Sequence, residues 1–135
     1  LSGVRELFGQ LLRFGLVGAL NTLIGLSAIY GLMFIFNVSV IWANLLGYAT
    51  GLIVSFILNR VWTFNSGQRL AAVLPKYILV AALCYTLNLG VVEFSTLHFS
   101  VNRYLAQLFG VGVYTITMFL SCRWFVFAPP RPHAA

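Results

Sequence analysis

Residues 14–59 contain no charged side chain, and that uninterrupted stretch constrains everything else the chain can become. A bilayer's hydrocarbon core, about 30 Å thick, is crossed by about 20 mostly apolar helical residues. The stretch is therefore too long for one crossing and long enough for two. Asn37-Val38-Ser39 interrupts it with a polar turn signal, which predicts one crossing over residues 14–36 and a second over 40–64. The remainder divides in the same way. Residues 65–75, with Ser66, Gly67, Gln68 and Arg69, predict a loop, and a third crossing comes next over 76–98. Ser100-Val101-Asn102-Arg103 is a second short turn before a fourth crossing over 104–127. Only 7% of the 135 residues are charged and 61% are hydrophobic, against roughly 25% charged in an ordinary soluble domain. A soluble enzyme is excluded. The expected fold is an all-α integral membrane protein, a single membrane domain of four transmembrane helices.

The ends are read separately. In residues 1–12, Val4, Leu7, Phe8, Leu11 and Leu12 fall on one helical face, and Arg5, Glu6, Gln10 and Arg13 lie on the rest. This is either an amphipathic segment on the membrane surface or the solvated start of the first crossing. The first apolar run is too long for a signal peptide and lacks a small-residue cleavage site, so it is expected to remain as a helix. Residues 128–135 include Pro129-Pro130-Arg131-Pro132, cannot continue a helix, and are expected to be disordered.

The net charge of +6 speaks of topology and anionic lipid, because the basic residues are isolated and form no cluster that tracks nucleic acid. Arg5, Arg13, Arg60, Arg69, Lys76, Arg123 and Arg131 fall on one side of the predicted crossings, and only Arg103 on the other. Cytoplasmic loops are the ones enriched in Lys and Arg, so both termini are expected in the cytoplasm. The chain also repeats: residues 13–64 align without a gap on 76–127, with 14 identities in 52 positions. Arg13 meets Lys76, Arg60 meets Arg123, Gly47 meets Gly110, and Phe64 meets Phe127. Each half starts on the cytoplasmic side, so the two helical hairpins are expected to be parallel repeats about an axis along the membrane normal.

Within such a frame the polar residues are informative because they are costly. Arg60 precedes Val61-Trp62-Thr63-Phe64, and Arg123 precedes Trp124-Phe125-Val126-Phe127. Basic and aromatic residues anchor helix ends by snorkelling. A planar guanidinium also binds phosphate bidentately, and the same arrangement twice points to a receptor for a lipid phosphate, with Asn59, Arg13 and Lys76 beside it. Asn21, Asn44, Asn88 and Gln107 lie within crossings, where an unpaired amide costs roughly 1–3 kcal/mol. Each is explained singly by interhelical hydrogen bonding; together they outline a polar seam. Glu93, the one acid in a crossing, is either an interfacial carboxylate paired with Arg103 or an outer-side site for a hydroxyl or a proton. Ala43, Gly47, Gly51 and Ser55 form a small-residue stripe suited to close helix packing. Cys84 and Cys122 sit in apolar runs as small buried thiols, and His98 and His133 lack metal-ligand spacing. No phosphate-binding loop, nucleophile elbow or carboxylate pair is present. No enzyme activity, metal or cofactor is expected.

Arg13-Phe14-Gly15-Leu16-Val17-Gly18-Ala19-Leu20-Asn21-Thr22, together with Phe56-Ile57-Leu58-Asn59-Arg60-Val61-Trp62-Thr63-Phe64, resembles the GtrA-like family of small four-helix membrane proteins. The resemblance spans roughly residues 10–128. The end of the fourth crossing has the same pattern, with Cys122 where asparagine is usual. The resemblance implies flipping of a polyprenyl-phosphate-linked monosaccharide across the bacterial cytoplasmic membrane, for cell-surface polysaccharide glycosylation. Its implied partners are that lipid, a polyprenyl-phosphate glycosyltransferase and further copies of the chain. The phosphate falls to Arg60, Arg123, Asn59, Arg13 and Lys76, and the sugar to Asn21, Asn44, Asn88, Gln107 and Glu93. The alternative is a non-transporting scaffold that recruits the glycosyltransferase. A proton-coupled exporter, which needs a buried acid in its first crossing, is disfavoured because this chain has none there.

Overall fold

In a computed structural model, residues 2–129 are described. Among them there are four long helices and no strand: α1 (Ser2–Phe34), α2 (Val40–Leu58), α3 (Leu70–Phe99) and α4 (Arg103–Ser121). All four are long and apolar enough to cross a bilayer, α2 and α4 as parts of the spans Val40–Thr63 and Arg103–Val126. The outward faces carry large apolar side chains such as Leu23, Phe34, Ile41 and Leu108, all exposed. Water would not tolerate such a surface, whereas hydrocarbon suits it. The chain is a multi-pass membrane protein.

The chain divides between Asn65 and Ser66 into two compact units. In the first, α1 packs on α2; in the second, α3 packs on α4. Each is a helical hairpin, and the two share internal details at the offset of 63 residues. The turn of each is made the same way. Asn37 and Ser100 adopt left-handed φ values of 53° and 49°. The next amide reaches back six residues, Val38 N–H to Leu32 O at 3.0 Å and Val101 N–H to Ser95 O at 3.2 Å. That closure satisfies carbonyls that a helix end would otherwise leave exposed in an apolar setting. The next helices start alike, with Ala43 N–H donating to Ser39 O and Ala106 N–H to Asn102 O, both at 2.9 Å.

Small residues bring the helices together. A Cβ added to Gly47 would overlap Ile29 Cγ1 and lie 3.1 Å from Gly25 O. One added to Gly110 would lie 2.6 Å from Val92 Cγ2 and 2.8 Å from Asn88 Nδ2. Ala43, Gly47 and Gly51 are buried on α2, and Ala106 and Gly110 on α4. The stripe is therefore used for packing inside each hairpin.

Of the two readings of the N-terminal segment the structure shows the second, and two other boundaries differ from expectation. Residues 2–12 are the first turns of α1, continuous with the crossing, so α1 has 33 residues and a length of about 50 Å. Leu7, Phe8, Leu11 and Leu12 are exposed in that extension. The third helix begins at Leu70, so residues 70–75, expected as loop, are helical and Pro75 lies inside the helix. The ring costs one interior hydrogen bond there. Val73, fully buried, and the bonds from Ala72 and Val73 N–H to Arg69 O hold the extra turn in place. The second and fourth helices leave α geometry at Leu58 and Ser121 and end in five-residue π-turns, Asn59–Thr63 and Cys122–Val126. The expected disorder from residue 130 onward, including Arg131, lies outside the described residues.

Candidate functional site

The π-turns sit where the paired arginines lie, and each is closed by an i to i−5 hydrogen bond. Phe64 N–H donates to Asn59 O and Phe127 N–H to Cys122 O, both at 2.9 Å. A π-turn holds an additional residue per turn and so re-aims the backbone beyond it. Phe64 thereby meets Phe14 edge-on at 6.3 Å between ring centroids, and Phe127 meets Tyr77 at 6.1 Å. Arg60 and Arg123 are both half-buried within these turns.

A second cation reaches each π-turn from the start of the hairpin's first crossing. Arg13 Nη1 donates to Trp62 O at 3.2 Å. Lys76 Nζ lies 5.4 Å from the centre of the Phe125 ring, within cation–π range. Arg13 corresponds to Lys76 and Trp62 to Phe125 at the common offset, so each hairpin gathers two cations at the end opposite its turn. The four expected phosphate residues therefore divide by hairpin, Arg13 and Arg60 at the π-turn end of the first and Lys76 and Arg123 at that of the second.

Asn59 requires a correction. It is 1% exposed. Its Nδ2 donates to Ser55 Oγ at 3.3 Å, and its Oδ1 accepts from Thr63 Oγ1 at 2.9 Å. A side chain turned inward, buried and bonded at both polar atoms does not reach a headgroup in this structure; it holds the π-turn on the helix before it. The second hairpin performs the same task without polar atoms, using Cys122 and Val126, both fully buried. This predicts a coupled pair. Asn59→Cys alone strands the buried Thr63 hydroxyl and costs about 1–3 kcal/mol. Adding Thr63→Val recovers most of that loss, and a double-mutant cycle on unfolding in detergent measures it. Additive losses would show that the two side chains do not act together.

The residues expected to meet a sugar separate by hairpin. Asn21 and Asn44 line one groove between α1 and α2, a cavity of about 480 Å³ bordered also by Thr22, Tyr30, Tyr48 and Gly51. Asn21 Oδ1 is buried with no hydrogen-bond partner among the described residues. A Cβ on Gly51 would lie 2.6 Å from that oxygen, so only glycine leaves it room. In the second hairpin Cys84 and Tyr114 occupy the positions of Asn21 and Gly51. Asn88 is half-buried against Gly110. Gln107 and Glu93, which correspond to Asn44 and Tyr30, are exposed on α4 and α3. Sequence reasoning missed Thr22, Tyr30 and Tyr48, since a tyrosine in a crossing carries no mark that separates a groove from a lipid face. It missed the π-turns too, which leave no periodic signal. Among the described residues no three His, Cys, Asp or Glu side chains gather to hold a metal.

Two apolar hairpins, each tipped by a π-turn and a pair of cations, define a small four-helix multi-pass membrane protein. The family model described as GtrA/DPMS, transmembrane domain, matches residues 13–127. The chain belongs to this family, as its motifs at both π-turns anticipate. No curated protein and no solved structure matches the chain significantly.

Proposed function

We propose that this chain moves a polyprenyl-phosphate-linked monosaccharide from the cytoplasmic to the outer leaflet of the bacterial inner membrane. A glycosyltransferase of the same pathway would use the sugar for cell-surface polysaccharide. The observation that carries the reading is that each hairpin brings a second cation to the π-turn that holds its arginine: Arg13 to Trp62 O in the turn of Arg60, and Lys76 to the Phe125 ring in the turn of Arg123. A lone snorkelling side chain needs no partner and no special turn. Two cations per hairpin, at least one of them a planar fork carried on a re-aimed backbone, match a phosphodiester at headgroup depth. With the basic side cytoplasmic, these ends take up the carrier phosphate from the inner leaflet.

The polar groups along the crossings then give the sugar a route, while the prenyl tail stays in lipid. A phosphodiester carries one negative charge. Outward movement through a potential negative inside gains about 2.3 kcal/mol per 100 mV if the whole field is crossed, and consumption of the sugar outside adds a gradient. No nucleotide hydrolysis is required.

The test is reconstitution. Purified protein in vesicles, loaded with a polyprenyl-phosphate-linked hexose, should speed exposure of the sugar to an enzyme added outside. An inside-negative potassium diffusion potential should speed it further. A chain that merely recruits a glycosyltransferase would leave the exposure rate at that of protein-free vesicles, and that result would remove the transport reading.

A further inference from the structure

The two π-turns are secured differently at their exits. In the first, Arg13 supplies a side-chain donor to a carbonyl inside the turn, Trp62 O. In the second, Lys76 stands at the corresponding position but lies over the Phe125 ring. A neutral side chain takes the carbonyl just beyond that turn: Gln68 Nε2 donates to Ala128 O. Gln68 and Ala128 are both half-buried. At the offset of 63 their positions hold Arg5 and Asn65, both exposed, so the contact sets the second hairpin apart from the first.

The sequence shows why a donor from elsewhere is needed there. Carbonyls at a helix end are commonly capped by the amides of the residues that follow. After Phe64 come Asn65, Ser66 and Gly67, all with backbone N–H groups. After Ala128 come Pro129 and Pro130, whose nitrogens carry no hydrogen. The chain therefore offers no backbone donor at the two positions after Ala128, and an uncapped carbonyl away from water is costly. Gln68 is well placed to supply the missing donor because its own backbone is held. Its N–H donates to Ser66 Oγ at 3.4 Å. The next residue, Arg69, accepts from Ala72 and Val73 N–H at the start of α3, where Val73 is fully buried. On the other side of the contact, Phe127 closes the π-turn through Cys122 O and packs on Tyr77. One neutral hydrogen bond thus joins the start of α3 to the exit of the turn that contains Arg123.

We propose that Gln68 is a positioning residue for Arg123: from the start of α3 it fixes the exit of the second π-turn, and with it the backbone that carries this guanidinium to an anionic headgroup. Gln68 itself touches no ligand. In the first hairpin a single cation, Arg13, both secures the turn and adds charge to it. In the second the two tasks are divided, an amide securing the turn and Lys76 adding the charge. The proposal rests on the carrier-lipid reading above and adds to it a residue from outside the cationic set.

The test measures farnesyl phosphate binding to the full chain in detergent micelles. Gln68→Met keeps the length of the side chain and removes its donor. Introduced into Arg60→Ala protein, which retains Arg123, it should weaken binding by about two- to tenfold, the range of one neutral hydrogen bond. Introduced into Arg123→Ala protein it should change nothing, because the residue it positions is gone. Equal losses in both backgrounds would make Gln68 a general stabiliser and overturn the proposal, as would no loss in either. Amide hydrogen exchange gives a readout that needs no ligand. In Gln68→Met, Phe127 N–H should exchange faster by a similar factor, while Phe64 N–H keeps the wild-type rate. Unchanged exchange at Phe127 would overturn the proposal even where lipid binding fell. If wild-type protein binds no farnesyl phosphate, the carrier-lipid reading falls and the role of Gln68 falls with it. If wild-type protein binds and the two backgrounds respond alike, only the role of Gln68 falls.

Discussion

Replacing both Arg60 and Arg123 with alanine should lower vesicle transport of a polyprenyl-phosphate-linked hexose by two to four orders of magnitude. A hydrogen bond to a charged group contributes about 1.5–3 kcal/mol, and each 1.4 kcal/mol is about tenfold. Each single variant should lose about tenfold to a hundredfold. The informative comparison is lysine. If the arginines merely anchor helix ends by snorkelling, Arg60→Lys and Arg123→Lys should behave as wild type, because lysine snorkels equally well. If they hold phosphate as forks, lysine keeps the charge and loses the bidentate geometry, and rescue should be partial. Arg103→Ala, at the turn end of the second hairpin, should change transport little. A double alanine variant that transports at the wild-type rate would remove both arginines from the phosphate site.

The largest loss of stability is expected at Gly47. A methyl group there would overlap Ile29 Cγ1 and sit 3.1 Å from the backbone oxygen of Gly25. Ile29 is buried and β-branched, with one favoured rotamer in a helix, so its Cγ1 has little freedom to withdraw. The helices must then separate, at a cost of about 1–3 kcal/mol, and leucine at this position should prevent the hairpin from closing. Gly90→Ala is the control: it lies mid-helix in α3 with nothing within 4 Å of the added methyl, and it should be neutral or stabilising by up to about 1 kcal/mol. Thermal unfolding in detergent micelles reads both. Equal melting temperatures for the two variants would contradict the close approach of α1 and α2.

How much of the molecule is legible in its sequence depends on which physical signal each part leaves in the chain. The four helices are set by charge-free apolar length, since a bilayer admits few alternatives for a backbone that must satisfy its own hydrogen bonds. The turns are marked by Asn37-Val38-Ser39 and by Ser100-Val101-Asn102-Arg103, polar breaks in otherwise apolar runs. The start of α3 is not legible, because Pro75 marks a probable helix boundary in any local reading. The burial of Val73, a tertiary event, overrides it. The π-turns are invisible because one residue's change in hydrogen-bond spacing alters no composition and little periodicity. Asn59 is misread for the same reason: adjacency to Arg60 in sequence suggests a shared ligand, while the turn sends the two side chains to different surroundings.

From the sequence alone come the membrane class, the four spans, the family resemblance at both helix ends and the cations worth testing, all of them consequences of hydropathy, charge placement and motif. Only the tertiary structure decides that Arg13 reaches the first π-turn, that Asn59 faces inward to Thr63, and that Asn21 and Asn44 share a groove with Tyr30 and Tyr48. The reason is physical. Hydropathy is a sum over local residues, whereas which polar atom ends up bonded, and which is buried without a partner, depends on how closely two distant backbones approach. Gly47 and Gly51 set that approach in the first hairpin.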